Sequence, residues 1–146
     1  MEADACVFCA IVSGAASAHV VQRTDVCTAF LDRTPLFFGH TLVVPNEHYE
    51  TLVDLPNGLI EPVFAMAQSI AAVMADALGA AGTFVAMNNI VSQSVPHLHV
   101  HVVPRNRRDG LKGFFWPRTR YRDDAHAEDV AASLRRALGR FDVVTP

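Results

Sequence analysis

"SQSVPHLHVHVVPR", Ser92 to Arg105, places His97, His99 and His101 at every second position among apolar residues. In a helix, residues i and i+2 point to opposite sides, whereas in a strand they share a face. Leu98, Val100 and Val102 alternate with the imidazoles, and Pro96 and Pro104 bracket a run rich in β-branched residues, so the stretch reads as a strand. The histidines then line one face about 6.5–7 Å apart, with the aliphatic residues turned to a core. A solvated polar face of an antiparallel sheet accounts for one such histidine. Three in phase point to imidazole chemistry, and metal ligation, nucleophilic catalysis and phosphate contact all stay open.

The segments around this stretch set its context. Val26–Asp32 reads as a strand that turns through "RTPLFFG" into a second, His40–Pro45, and "TFVAMNN", Thr83 to Asn89, reads as a third. Between them, Leu59, Val63, Met66, Ile70, Val73 and Ala77 recur at 3–4 spacing, which predicts a long helix over Asn57–Leu78 with one buried face and Gly79 at its C-cap. "DDAHAEDVAASLRRALGR", Asp123 to Arg140, predicts a second amphipathic helix with Val130, Leu134 and Leu138 inward and acids at the N-terminal end, where the helix dipole favours them. Short links between consecutive strands and one helical connection suggest an antiparallel α+β layer rather than a doubly wound parallel sheet. Neither GxGxxG nor GxxxxGK[ST] occurs, so any phosphate recognition must use other groups.

A chain of 146 residues supports one domain with a real core, and 51% hydrophobic against 18% charged residues is globular composition. No apolar run reaches membrane-spanning length, and "MEADACVFCA" lacks the basic and apolar regions of an export signal, so we expect a cytoplasmic protein without a membrane partner. The cysteine count, three, gives no disulfide framework and points to a reducing compartment. Cys27 reads as a buried strand residue. Cys6 and Cys9 form a CxxC, which is half a zinc site, a redox pair or coincidence; zinc is favoured if two further ligands exist, because no strand precedes the motif as in a thioredoxin-like unit. A net charge of −3 makes nucleic acid an unlikely partner. From Pro104 to Arg122, however, six arginines and Lys112 face one acid, Asp109, and Phe114, Phe115 and Trp116 stand among them in "GLKGFFWPRTRY", Gly110 to Tyr121, a segment suited to stacking on a base or closing over an anionic leaving group, or to closing a dimer core with its aromatics while the arginines are solvated.

"QSVPHLHVHVVPR", together with "CVFCAIVSG", "AFLDRTPLFFGHTLVVPNEHYETLVDL" and "FVAMNN" in the same order, resembles the histidine-triad (HIT) superfamily of nucleotide hydrolases and transferases, in its zinc-binding bacterial-type branch. The resemblance runs from Cys6 to about Arg105 of a single domain spanning 1–146, with residues 106–146 as a variable C-terminal segment and helix. It implies an α+β HIT-like fold, a five-stranded antiparallel sheet with two helices, paired into a homodimer. It implies that His99, its other ring nitrogen held by the backbone carbonyl of His97, is a nucleophile toward the α-phosphorus of a purine nucleotide conjugate, forming a covalent nucleotidyl-histidine. His101 and Ser94 would donate to phosphate oxygens, His40 would brace the network, and Gln93 would reach the phosphate or the leaving group. Asp32 would hold the ribose, Asn89 or Asn88 the ribose or phosphate, and Phe8, Ile11, Phe30 and Leu31 would sandwich the base. Cys6, Cys9, His48 and His97 would hold structural zinc, and no catalytic cofactor is expected. Adenosine phosphoramidates are the favoured substrates; diadenosine polyphosphates, other nucleotide adducts, and a regulatory nucleotide-binding module with incidental turnover are the alternatives.

Overall fold

Alternating side chains build one sheet in the computed structural model, which describes residues 6–111 and 119–138. Strands β1 (Val20–Arg23), β2 (Cys27–Leu31), β3 (Thr41–Pro45), β4 (Gly82–Ala86) and β5 (Val100–Arg105) pair antiparallel in the order β1-β2-β3-β5-β4. The helices are α1 (Val7–Ser13), α2 (Asn57–Leu78) and α3 (Asp124–Leu138). Residues Met1–Asp109 form one compact unit and Gly110–Pro146 another; the sheet, α1 and α2 lie in the first and α3 in the second. The five-stranded antiparallel α+β expectation holds. The expected pair of helices does not, because there are three among the described residues.

The extra helix and one strand carried no periodic signal. α1 has only 7 residues and ends on Gly14 at φ 82, so it shows fewer than two full turns of pattern. β1 is exposed along its whole length and its register with β2 slips between Val20 and Gln22, which removes the alternation that marks a half-buried strand.

Period 2 divides the sheet into two faces with separate cores. Cys27 and Ala29 of β2, Val43 of β3 and Val100 and Val102 of β5 pack with Val63, Met66, Ala67, Ile70 and Met74 of α2. Phe30, Leu42 and Val44 turn the other way and pack with Cys6, Phe8 and Ile11 at α1. α2 is long and apolar enough by composition to cross a membrane, but its buried face is part of the sheet's core. That face differs from the predicted stripe at its C-terminal end. Val73, which is 53% exposed, stands about 80° from the line through Val63, Ile70 and Met74, and Ala77 is exposed too. In α3, Val130 is half-buried while Leu134 and Leu138 are exposed, so the expected inward stripe is absent among its described residues.

The strand of the histidine stretch is shorter than its alternation. β5 begins at Val100, so His97 and His99 precede it and only His101 lies within it. The main chain leaves the ladder because the N–H of Leu98 donates to the carbonyl of Tyr49 at 2.6 Å. The facing nevertheless continues unbroken, with Leu98 in the α2-side core and completely buried. Lys112, Phe114, Phe115, Trp116 and Arg118 lie outside the described residues.

Candidate functional site

The α1-side face collects the site because same-face positions are two residues apart. Asp32 follows Phe30 by two, His40 precedes Leu42 by two, and Leu42 stands opposite His101 in the β3–β5 pairing. His99 and His97 continue the same face beyond the strand. Two groups of side chains form along this line, and His97 and His99 separate them.

At the first, Cys6 Sγ lies 3.4 Å and Cys9 Sγ 3.5 Å from His97 Nδ1, and Cys9 Sγ lies 3.3 Å from His48 Nδ1. One ligand atom from each of Cys6, Cys9, His48 and His97 falls within 4.8 Å of all the others. A tetrahedral ion with M–S near 2.3 Å and M–N near 2.05 Å requires sulfur and nitrogen about 3.5 Å apart. The observed separations match. The Nε2–H of His97 donates to the Pro45 carbonyl at 2.9 Å, which leaves the Nδ1 lone pair for a metal, an outer-shell bond of the kind that orients ligating imidazoles. Burial, against the Pro45 bond and beside His48 and His99, pulls His97 down to about 4, so the ring is neutral as ligation requires. His48 Nε2 is buried without a hydrogen-bond partner. A group left so costs about 1–3 kcal/mol, which a metal bond at Nδ1 outweighs. Four soft or borderline donors in a closed tetrahedron fit a structural ion such as zinc.

At the second, His99 Nδ1 lies 2.7 Å from the carbonyl of His97. A carbonyl only accepts, so the proton sits on Nδ1 and Nε2 carries the lone pair. His99 is 2% exposed; burial lowers its pKa, partly opposed by the His97 carbonyl and Asp32, and the imidazole is held neutral with its nucleophilic nitrogen defined. The edge of Phe8 meets the His99 ring at 5.2 Å between centroids and also meets Phe30 at 5.4 Å. His101 lies beside His99 at 4.9 Å and shares a 2.9 Å contact, Nδ1 to Nε2, with His40. Burial, with His99 and His40 adding to it and Asp32 opposing, draws His101 down to about 4, and burial likewise lowers His40. Asp32 Oδ1 accepts the Thr34 N–H at 2.8 Å, closing the turn, and Oδ2 stands 3.7 Å from His40 Nδ1. Asp32, His40 and His101 are close enough to share a cation. However, 2.9 Å between the two imidazole nitrogens is a hydrogen-bond length, whereas two nitrogens on one tetrahedral ion stand about 3.3 Å apart.

The remaining expected residues divide. Phe8, Ile11 and Phe30 form the buried apolar cluster next to His99. Leu31 belongs to the opposite parity of β2 and is 38% exposed, so it does not join them. Ser94 is exposed at the mouth of the stretch. Asn89 and Gln93 tie loops together: Asn89 Oδ1 accepts the Leu52 N–H at 2.7 Å, Gln93 Oε1 accepts the Ile90 N–H at 2.8 Å, and Gln93 Nε2 donates to the Glu50 carbonyl at 2.6 Å. Asn88 donates to the Ser92 carbonyl at 3.3 Å. Ile90 and Ser92 hold positive φ, 67° and 62°, so those bonds fix a strained loop. Sequence reasoning missed the groups that orient the imidazoles, the carbonyl of Pro45 and the N–H of Leu36, 3.1 Å from His40 Nδ1. Main-chain groups have no residue signature.

The sequence profile of the HIT domain matches residues 13–108. The chain is 30% identical to the adenylylsulfatase HINT3 of Arabidopsis thaliana over 140 residues, 91% of this chain and 69% of that one. It is 31% identical to the adenosine 5'-monophosphoramidase hnt1 of Schizosaccharomyces pombe, over 77% of this chain and 83% of that one. Among solved structures, a zinc-bound histidine triad family protein from Mycobacterium smegmatis is 35% identical and superimposes with a TM-score of 0.72 over 93% of this chain and 99% of that one.

Proposed function

The chain belongs to the HIT domain family, and from that premise we propose that it is a nucleotide hydrolase or transferase acting at the α-phosphate of a purine nucleotide conjugate, with adenosine phosphoramidates as the favoured substrates. The observation that carries this reading is the 2.7 Å bond from His99 Nδ1–H to the His97 carbonyl, which leaves a buried neutral imidazole with its one lone pair on Nε2. His99 Nε2 attacks the α-phosphorus, the P–N bond to the leaving group breaks in line, and the leaving amine departs with its electron pair and takes up a proton. Water then attacks the nucleotidyl-histidine, releasing the nucleoside monophosphate and restoring the imidazole. His101 and Ser94 donate to the phosphate oxygens as charge builds, and one such donor is worth about 3 kcal/mol.

Asp32 Oδ2 holds the ribose hydroxyls, since Oδ1 is already used by Thr34. Phe8, Ile11 and Phe30 supply the apolar base site, and Asn89 and Gln93 shape its phosphate side through the loops they tie. Zinc is the ion for Cys6, Cys9, His48 and His97; when bound it fastens α1 to His97. Metal-ligating thiolates at Cys6 and Cys9 suit a reducing, cytoplasmic setting. A homodimer is supported by β4, which lies at the sheet edge with Val85 exposed. The names of the two enzymes above support the reaction class: one is an adenylylsulfatase and the other an adenosine monophosphoramidase.

The test is product identification with adenosine phosphoramidate, guanosine phosphoramidate, adenylyl sulfate and diadenosine tri- and tetraphosphate, with acid-quench mass spectrometry for the adduct. A nucleoside monophosphate product with an acid-labile mass increment on His99 is expected. Tight nucleotide binding without turnover of any member replaces the enzyme by a binding module.

A further inference from the structure

We propose that the main-chain N–H of Leu36, acting through His40, fixes the proton of His101 on Nε2, so that His101 faces the nucleotide site as a hydrogen-bond donor and never as a second lone pair. The phosphate that receives this donor rests on the function proposed above; the proton placement rests on geometry alone.

The argument runs along three atoms. Leu36 lies in the loop between β2 and β3, and its N–H points at His40 Nδ1 from 3.1 Å. A main-chain amide can only donate, so His40 Nδ1 must carry a lone pair and the proton of the neutral ring sits on Nε2. That Nε2 lies 2.9 Å from His101 Nδ1, which must therefore accept. The proton of neutral His101 is left on its Nε2. Asp32 does not reverse the chain, because its Oδ2 is 3.7 Å from His40 Nδ1, beyond hydrogen-bond reach. His40 is 3% exposed, so water does not compete for its nitrogens.

The consequence is a division of labour between two like side chains 4.9 Å apart. His99 is protonated on Nδ1 by the His97 carbonyl and offers a lone pair; His101 is protonated on Nε2 and offers an N–H. Each tautomer is dictated by one main-chain group, an acceptor for the first and a donor for the second. Leu36 and His40 are positioning residues. Without them His101 would populate both tautomers, and the one carrying a lone pair on Nε2 would repel a phosphate oxygen.

The experiment is side-chain 15N NMR of the metal-loaded protein, without nucleotide. The wild-type spectrum should show His99 protonated on Nδ1 and both His40 and His101 on Nε2. Replacing Leu36 by its α-hydroxy acid keeps the side chain and removes the N–H; it should mix the tautomers of His40 and His101, leave His99 unchanged, and lower kcat about tenfold with KM nearly constant. His40→Phe, which breaks the same chain at its middle, should mix the tautomer of His101 in the same way and serves where the ester variant does not fold. His101 protonated on Nδ1 in the wild type, or unmoved in both variants, overturns the proposal. Predicted tautomers in a protein that turns over no nucleotide conjugate would refute the enzymatic reading and leave this one standing.

Discussion

The two ends of the histidine stretch use the same side chain for opposite purposes. At His97 the imidazole is completely buried, its Nε2–H is fixed by Pro45, and its lone pair turns inward to two thiols, so nothing from solvent can use it. At His99 the fixing bond is on Nδ1, and the lone pair sits on Nε2, the nitrogen that the proposed reaction uses. The difference lies in which ring nitrogen meets a main-chain carbonyl. In the proposed function the first end holds a metal and the second reacts, and the His97 residue touches both by giving its ring to one end and its carbonyl to the other.

The largest break in this comparison is His99→Ala. Turnover and the covalent adduct should fall by at least about three orders of magnitude, while metal content and affinity for a nucleoside monophosphate change little. Retention of more than a few per cent of activity in a steady-state assay would remove His99 from the nucleophile's role.

Cys9→Ser attacks the other end. Metal content by elemental analysis should drop from close to one ion per chain, and the melting temperature should fall by about 10 °C or more, the equivalent of several kcal/mol in a domain of this size. The sheet and α2 have their own core, so a folded state should persist. Loss of activity should be partial and restored toward wild type by excess zinc, because the carbonyl of His97 is displaced and not removed.

Gly39→Ala tests how the open end is braced. A Cβ at Gly39 would clash with Leu78 Cδ1, at a φ of 103° that favours glycine, just before His40. We expect a loss of about 1–3 kcal/mol by denaturant titration, with kcat reduced and metal content intact. Leu78→Ala in the same chain should relieve the contact but not the backbone strain.

The smallest effect is in pH. His101 is drawn to about 4 and His40 is also lowered, both chiefly by burial, whereas their ordinary value is 6.5. As pH falls below about 6.5 the unfolded chain takes up protons first. The contribution of His101 to stability is therefore undiminished above 6.5, declines between 6.5 and about 4, and is level below, and that of His40 changes in the same direction. Melting of the chelator-treated protein should follow that slope, and His101→Gln should flatten part of it. The metal-loaded protein should fall more steeply, since protons also displace the ion. An identical slope with and without metal would mean that the two ends do not differ in their linkage to protons.

Alternation of Leu98, Val100 and Val102 with the histidines, the 3–4 spacing of Val63, Met66 and Ile70, and turn residues between short apolar runs determined the antiparallel α+β architecture, the long helix and the shared face of the imidazoles. They did so because period 2 and period 3.6 survive translation into burial wherever one face packs on a core. α1 and β1 escaped because one is too short to show a period and the other buries neither face. The resemblance to the HIT family supplied the candidate ligands and nucleophile, which spacing alone left open between metal ligation, catalysis and phosphate contact. The resemblance implied the His97 carbonyl as the group that fixes His99; tertiary structure alone decided the other proton positions, because Pro45 and Leu36 act through a main-chain carbonyl and an N–H that leave no mark in the residue types. Tertiary structure alone turned Leu31 away from the apolar cluster of Phe8, Ile11 and Phe30 and committed Asn89 and Gln93 to loop contacts, because pairing partners distant in the chain fix which polar atoms are already satisfied.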